Sequence, residues 1–267
     1  MTSPTFDFRC GTVPLLISIP HLGTAIPADI REQLTDVAGE VADTDWHLDR
    51  LYAFAEKLGA SVLGARVSRY VIDLNRPPSG ESLYPGQTTT GLCPTETFRG
   101  EPLYRNGSGP DAAEVARRLE QYWYPYHAQL RAELDRLTAE SGAVLLWEAH
   151  SIASVLPRLF DGKLPDLNLG TNSGLSCDAS VLDAITRTLD GQPFTWIVNG
   201  RFKGGYNTRA YGEPRKGVHA VQLEMCQSTY MSETPPFAYR PEIARKVEPV
   251  VERMVTTAFE AVRALGR

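Results

Sequence analysis

Three short apolar runs in this chain each give way abruptly to ionisable side chains, and few folds accommodate that pattern. The runs are Pro14-Leu15-Leu16-Ile17-Ser18-Ile19-Pro20 before His21, Ala143-Val144-Leu145-Leu146-Trp147 before Glu148-Ala149-His150, and Val218-His219-Ala220-Val221-Gln222-Leu223 before Glu224. Runs of this length predict buried strands. Longer stretches with helical spacing alternate with them, and the alternation predicts an α/β fold. Open α/β sheets build their sites beyond the carboxyl ends of the strands. Two imidazoles and one carboxylate at three such ends are the parts of a mononuclear zinc hydrolase, if the strands are neighbours.

The remaining pattern fills in around these runs. Residues 14–19 read as a strand. Residues 47–58 read as a helix with Leu48, Leu51, Phe54 and Leu58 on one face. Ser61 to Val67 and Tyr70 to Leu74 read as two strands or one bent strand. Residues 76–110 are rich in Pro, Gly, Thr and Ser, but their Tyr, Leu and Phe predict an ordered loop, and loops that long are usually functional. Residues 111–140 give the clearest helix, opened by Pro110 and Asp111, with Pro125 predicting a kink near Tyr122. Ala143 to Trp147, Leu164 to Leu169, Phe194 to Val198 and Val218 to Glu224 read as strands. Asp178 to Leu189 and Pro241 to Leu265, with Pro249 inside the latter, read as helices. No repeat or linker interrupts the pattern, so residues 1–267 read as a single domain.

Charge and cysteine usage narrow the class. A formal net charge of −5 argues against a general nucleic-acid binder, which is usually basic. It leaves room for an anionic substrate, because a local cluster of arginines can dominate a pocket. Cys10, Cys93, Cys177 and Cys226 form no CxxC pair, which argues against a thiolate zinc site. Free thiols suit a reducing cytoplasm. The segment Met1 to Asp7 lacks the pattern of a signal peptide, and no run approaches the ~18 apolar residues of a membrane span.

Several residues are candidates for chemistry. His21 and His150 are the candidate metal ligands. The third ligand falls among Asp45, His47 and Glu148. Asp43 and Asp45 could equally cap the helix expected after them; Asp45 is preferred as ligand. Glu224 is the candidate general base, with Glu148 its rival. Arg69, Asp73, Asn75 and Arg76 follow or lie within a predicted strand. There Asn75 and Arg76 are placed to grip a carboxylate, and Asp73 to pair internally with an arginine. The segment 199–209 is locally basic, with Arg201, Lys203 and Arg209, and its Gly204-Gly205 lets backbone approach a ligand closely. No dinucleotide or phosphate-loop pattern is present.

Seven blocks, in order, resemble the N-formylglutamate amidohydrolase family. They are Ser18 to Thr24, Asp43 to Tyr52, Ser68 to Pro77, Ser82 to Gln87, Glu148 to Ser151, Gly200 to Tyr206 and Gln222 to Glu224. The resemblance implies a mixed sheet with helices on both faces, similar to zinc carboxypeptidases and aspartoacylases, and one zinc per chain. It implies hydrolysis of N-formyl-L-glutamate to formate and L-glutamate, the last step of one histidine degradation route. His21, Asp45 and His150 are then the zinc ligands and Glu224 the base. Asn75 and Arg76 match the Asn-Arg pair that holds a substrate carboxylate in the wider carboxypeptidase group. That group places its acidic ligand three residues after the first histidine; Thr24 stands there in this chain, so Asp45 is inferred instead. Arg69 is assigned to the developing oxyanion, and Arg201 or Arg209 to the second carboxylate. The competing expectations are an amidohydrolase for another N-acyl group or a peptidoglycan fragment, and a non-catalytic dicarboxylate-binding protein. The metal could also be Mn, Fe or Co.

Overall fold

The apolar runs fold as adjacent strands. The computed structural model describes residues 4–83 and 86–266; Met1 to Ser3, from the segment read for a signal peptide, and Tyr84 and Pro85, from the Ser82 to Gln87 block, lie outside the described residues. Strands β1 (Phe6–Arg9), β2 (Leu15–Ile19), β3 (Ser61–Ala65), β4 (Val144–Ile152), β5 (Leu167–Gly170), β6 (Trp196–Val198) and β7 (Val218–Cys226) form one sheet in the order β1-β3-β2-β4-β7-β5-β6. Strands β3, β2, β4 and β7 run parallel. β1 joins β3 antiparallel, β5 joins β7 antiparallel, and β6 lies parallel to β5. The sheet is therefore mixed.

Helices α1 (Ala28–Arg31), α2 (Leu48–Leu51), α3 (Ala112–Arg118), α4 (Tyr124–Ser141), α5 (Ala179–Arg187), α6 (Tyr206–Tyr211) and α7 (Pro241–Leu265) cover it. α2, α5 and α7 pack on the face that carries Leu15, Ile17, Leu145, Trp147, Val221 and Leu223. α1, α4 and α6 pack on the opposite face with Leu16, Val144, Leu146 and Ala220. β4 is buried at all nine residues, as expected of a parallel strand covered on both sides.

Two expected elements are absent. The helix over 47–58 is only one turn, Leu48–Leu51, followed by a 3₁₀ turn at Ala53–Ala55. It opens on His47 at φ 61 with no side-chain cap, and Gly59 at φ 73 closes the segment. Leu48, Leu51 and Phe54 are still buried, so tight turns satisfy the spacing that suggested a helix. The strand over Tyr70 to Leu74 is a buried run of turns instead. Its backbone groups are taken by other partners: Arg118 Nη1 donates to Val71 O at 2.9 Å, and Asp73 N donates to Leu92 O at 2.7 Å. Apolar content reported burial correctly there, but among the described residues no strand pairs with this segment.

The long helix contains the irregularity that Pro125 predicts. Leu119–Trp123 is a π-helical turn between α3 and α4. Proline lacks an N–H, so Gln121 O loses its helical donor, and the Thr5 hydroxyl replaces it at 3.2 Å. Just beyond, Trp123 and His127 stack with ring centroids 3.6 Å apart. Trp123 Nε1 donates to Arg76 O at 3.0 Å, and His127 Nε2 donates to Leu74 O at 3.1 Å. Since Nε2 must carry the proton, Nδ1 accepts from Tyr211 Oη at 2.8 Å. Two rings thus hold the backbone on either side of Asn75.

Burial pushes the His127 imidazole down to about 3, with only the Leu74 carbonyl opposing. The unfolded chain takes up that proton near pH 6.5 and the folded chain does not, so this residue withdraws stability as pH falls from about 6.5 to about 3. His127→Gln, which keeps a donor but does not titrate, should show a flatter decline of melting temperature across that window than the parent. Equal declines would mean that His127 protonates in the fold.

Candidate active site

The strand register builds the site. Ser18 pairs with Glu148 and Glu148 with Gln222, forming one row across β2, β4 and β7. One row further, His150 pairs with Glu224, and Glu224 with Asn168 of β5. Side chains alternate faces along a strand, so Glu148, His150, Gln222 and Glu224 share the face of Leu146 and Ala220. That face is apolar under α4 and turns polar over the last residues of each strand. His21 follows the end of β2 by two residues, and Asp45 N donates to His21 O at 3.0 Å, which brings the Asp43 to His47 segment to the same end.

Three side chains converge there. Asp45 Oδ2 lies 3.1 Å from His150 Nδ1 and 3.6 Å from His21 Nδ1. His21, Asp45 and His150 are all buried, and their donor atoms lie within 4.8 Å of one another. Ligands at the ~2.0–2.1 Å bonds of tetrahedral zinc stand roughly 3.3 Å apart, so the spacing fits. Asp45 Oδ1 is buried without a hydrogen-bond partner, which leaves it acceptor capacity for a cation. The far ring nitrogens meet oriented partners. His21 Nε2 bonds Asp73 Oδ1 at 2.7 Å, and His150 Nε2 faces Asn75 Nδ2 at 3.0 Å and Glu148 Oε2 at 3.5 Å. Carboxylates behind metal-binding imidazoles are the usual means of fixing ring orientation.

The electrostatics ask for positive charge. Burial opposes a charged His150, but its hydrogen bonds to the Asp45 and Glu148 carboxylates, with the Asp45 and Glu224 charges, lift it to about 10. Burial would raise Asp45, yet the His150 and His21 bonds hold it below the usual carboxylate range. Burial would also raise Asp73, and the charges of His21, Arg69 and Arg76 outweigh it and hold the carboxyl well below that range. Glu224 goes the other way: burial lifts it to about 7 and Asp45 reinforces the rise, against His150, Arg69 and Arg76. Arg69 donates through Nη2 to Asp73 Oδ2 at 2.7 Å, and its Nη1 is 3.3 Å from His21 Nδ1.

A cleft of about 590 Å³ opens over this group, and His21, His150, Glu224, Arg69, Asn75, Arg76, Arg201 and Gly205 all line it. The sequence placed these residues in five separate blocks. Arg76 donates to Thr90 O at 3.0 Å and Arg201 to Thr88 O at 3.0 Å, so both hold the long loop over the cleft. Asn75 faces inward, its Oδ1 accepting from Asn207 N at 2.9 Å. Gly205 N donates to Gln222 Oε1, and a Cβ at Gly205 would collide with the Asn75 amide, so glycine is required there by close approach. Gly204 and Arg209 are not among the described residues lining the cleft; Arg209 Nε donates to Gly204 O at 2.8 Å. His47 Nε2 bonds Phe237 O at 2.7 Å, away from His21 and His150. Asp43 is not a cap: its Oδ2 accepts from Phe98 N at 2.8 Å.

Sequence reasoning passed over three contributors, Gln222, Phe98 and Asn207, and the second role of Asp73. Gln222 joins Gly205 to Glu224, and its signal was the alternation that put it on the face of Glu224. Asp73 backs His21 as well as pairing with Arg69. Phe98 and Asn207 gave no local signal at all.

A mixed α/β sheet with a buried imidazole–carboxylate group at the carboxyl ends of its parallel strands, able to hold a metal ion, defines the general class of the protein. The sequence pattern of N-formylglutamate amidohydrolases matches residues 13–231. The N-formylglutamate deformylase of Pseudomonas aeruginosa is 51% identical over 98% of this chain and 97% of its own length. That of Pseudomonas putida is 51% identical over 93% of each. The crystal structure of an N-formylglutamate amidohydrolase from Ralstonia eutropha JMP134 superposes with a TM-score of 0.77 at 26% identity, covering 97% of both chains. The chain belongs to the N-formylglutamate amidohydrolase family.

Asp73→Asn keeps the shape behind His21 and removes the charge. Divalent metal affinity should fall by about 10–100-fold with little change in far-UV circular dichroism. Unchanged affinity in a metal titration would show that Asp73 serves Arg69 alone.

Proposed function

We propose that the protein hydrolyses N-formyl-L-glutamate to formate and L-glutamate, as a zinc-dependent deformylase serving a histidine degradation route. The observation that carries this is one cleft joining a His21–Asp45–His150 group, a buried Glu224 and the guanidinium groups of Arg69, Arg76 and Arg201. Both Pseudomonas relatives carry the deformylase name. The one-domain, cytoplasmic reading belongs to the same proposal: the four cysteines are free thiols, and among the described residues no helix is long and apolar enough to cross a membrane.

His21, Asp45 and His150 would hold the zinc ion, which when bound supplies a Lewis acid and lowers the pKa of water. The residues of the chain do the rest. Glu224 accepts a proton from the attacking water and returns it to the amine nitrogen as the C–N bond breaks. A carboxyl near neutrality can do both. Arg69 donates to the carbonyl oxygen as negative charge develops on it. Arg76, with Asn75 beside it, takes one glutamate carboxylate, and Arg201 the other. Gly205 and Gln222 fix the wall from which Glu224 projects. Arg209 is the alternative grip for the second carboxylate, and its Nε bond to Gly204 O ties it to the loop that carries Arg201.

Formate release from N-formyl-L-glutamate, measured before and after chelation and again after zinc is restored, tests the proposal. Release that disappears with chelator and returns with zinc is expected; none from zinc-loaded protein would refute the substrate. Glu224→Gln should cut kcat by about 10²–10⁴-fold while retaining stoichiometric zinc, and a fast variant would remove Glu224 from the base role. The base works deprotonated, so kcat/KM should fall as pH drops through its pKa. A bound cation adds to the charges that lower it, which puts that limb at or below about pH 7. A limb well above pH 7 would point to another group.

A further inference from the structure

We propose that Phe98 limits the acyl group, so that the cleft accepts formyl and turns away acetyl; the proposal rests on the deformylase reading above. The apolar lining of the cleft, Phe98, Ile152, Leu159 and Phe202, belongs to one cluster whose two ends meet different arginines. Leu159 and Phe202 belong with Arg201, which donates to Leu159 O at 3.1 Å and stands 5.4 Å from the Phe202 ring centroid. That end suits the remote carboxylate. Phe98 belongs with Arg69, whose guanidinium carbon lies 4.6 Å from the Phe98 ring centroid. Arg69 Nη1 is in turn 3.3 Å from His21 Nδ1. A carbonyl placed between Arg69, Glu224 and the two histidines therefore has Phe98 as the aromatic wall beside its acyl substituent.

Phe98 is buried, 8% exposed, and packs with Ile152 and Leu156. Behind it lies a second cavity of about 870 Å³, which shares Phe98, Ser151 and Ile152 with the cleft. Phe98 is thus a partition between two spaces. The peptide that precedes the ring is held at both its polar atoms: Phe98 N donates to the buried Asp43 carboxylate at 2.8 Å, and the carbonyl of Thr97 accepts from Arg158 Nη1 at 3.0 Å. A ring packed against Ile152 and Leu156, with the Arg69 guanidinium over its face, leaves little space for a larger acyl group, whereas a hydrogen on the carbonyl carbon needs no room. One carbon more or less in a fitted pocket changes selectivity by about 10–200-fold.

The test compares kcat/KM for N-formyl-L-glutamate and N-acetyl-L-glutamate in zinc-loaded parent, Phe98→Ala and Phe98→Leu proteins, with zinc content and melting temperature measured on each. The acetyl-to-formyl ratio should rise by at least about tenfold in Phe98→Ala and by less in Phe98→Leu, which fills part of the space and serves if the alanine variant does not fold. An unchanged ratio, with both substrates slowed equally, would overturn the proposal and leave Phe98 as support for Arg69. A parent that already takes acetyl as well as formyl would overturn it too, with the deformylase reading intact. A parent that releases no formate would fail the deformylase reading itself, before any variant is compared.

Discussion

Buried charge is the condition on which the rest of this structure depends. Asp45, Asp73, Glu148 and Glu224 are all nearly or fully sequestered, and Arg69 is the one permanently charged cation buried as deeply among them. Carboxylates out of water are costly unless paired. The chain meets that cost by surrounding each with donors. Arg69 and the Asn75 backbone serve Asp73, the two imidazoles serve Asp45, and Asn207 and His150 serve Glu148. Two carboxylate oxygens of the group remain without a hydrogen bond, Glu148 Oε1 and, beside His21 and His150, Asp45 Oδ1, which Arg69 Nη1 approaches only to 4.0 Å. A divalent cation would relieve the imbalance. The same arrangement favours a proton on His150, so a metal ion taken up there would have to displace it.

The order of strands turns this electrostatic arrangement into a usable cleft. β2, β4 and β7 lie side by side and parallel, so all three release their polar ends in one direction. β5 enters antiparallel beside β7, and Asn168 Nδ2 donates to Glu224 O at 3.1 Å. Glu224 is therefore held on a strand with neighbours on both sides. Rigid placement of this kind distinguishes a general base from a surface carboxylate with a similar pKa.

What could be read from the sequence follows from how local each constraint is. A strand buried on both faces must be apolar throughout, so β2, β4 and β7 showed as runs, and His150 and Glu224 stood out because they broke them. The adjacency that pairs those two residues is a property of the sheet and has no local signature. The Tyr70 to Leu74 segment misled because burial and strand pairing favour the same β-branched and aromatic residues. The 47–58 segment misled because a helix and a string of tight turns can bury the same leucines. Asp73 was legible as the partner of Arg69, but its bond to His21 spans 52 residues. Phe98 lay inside a loop whose composition announced only that it was ordered.

The π-helical turn between α3 and α4 has a consequence for how this scaffold can change. Arg118 and Tyr126 are eight residues apart, and in an unbroken α-helix of this length they would stand about 80° apart around the axis. The wider π turn advances less per residue and brings Arg118, Tyr126, Leu130 and Leu134 all to buried positions. Straightening the turn without changing its length would swing α4 away from that register, and with it the His127 bond to Leu74 O. The extra residue is a phase correction between two halves of a helix, and an insertion or deletion within it would be read out at Asn75, more than forty residues away in the chain.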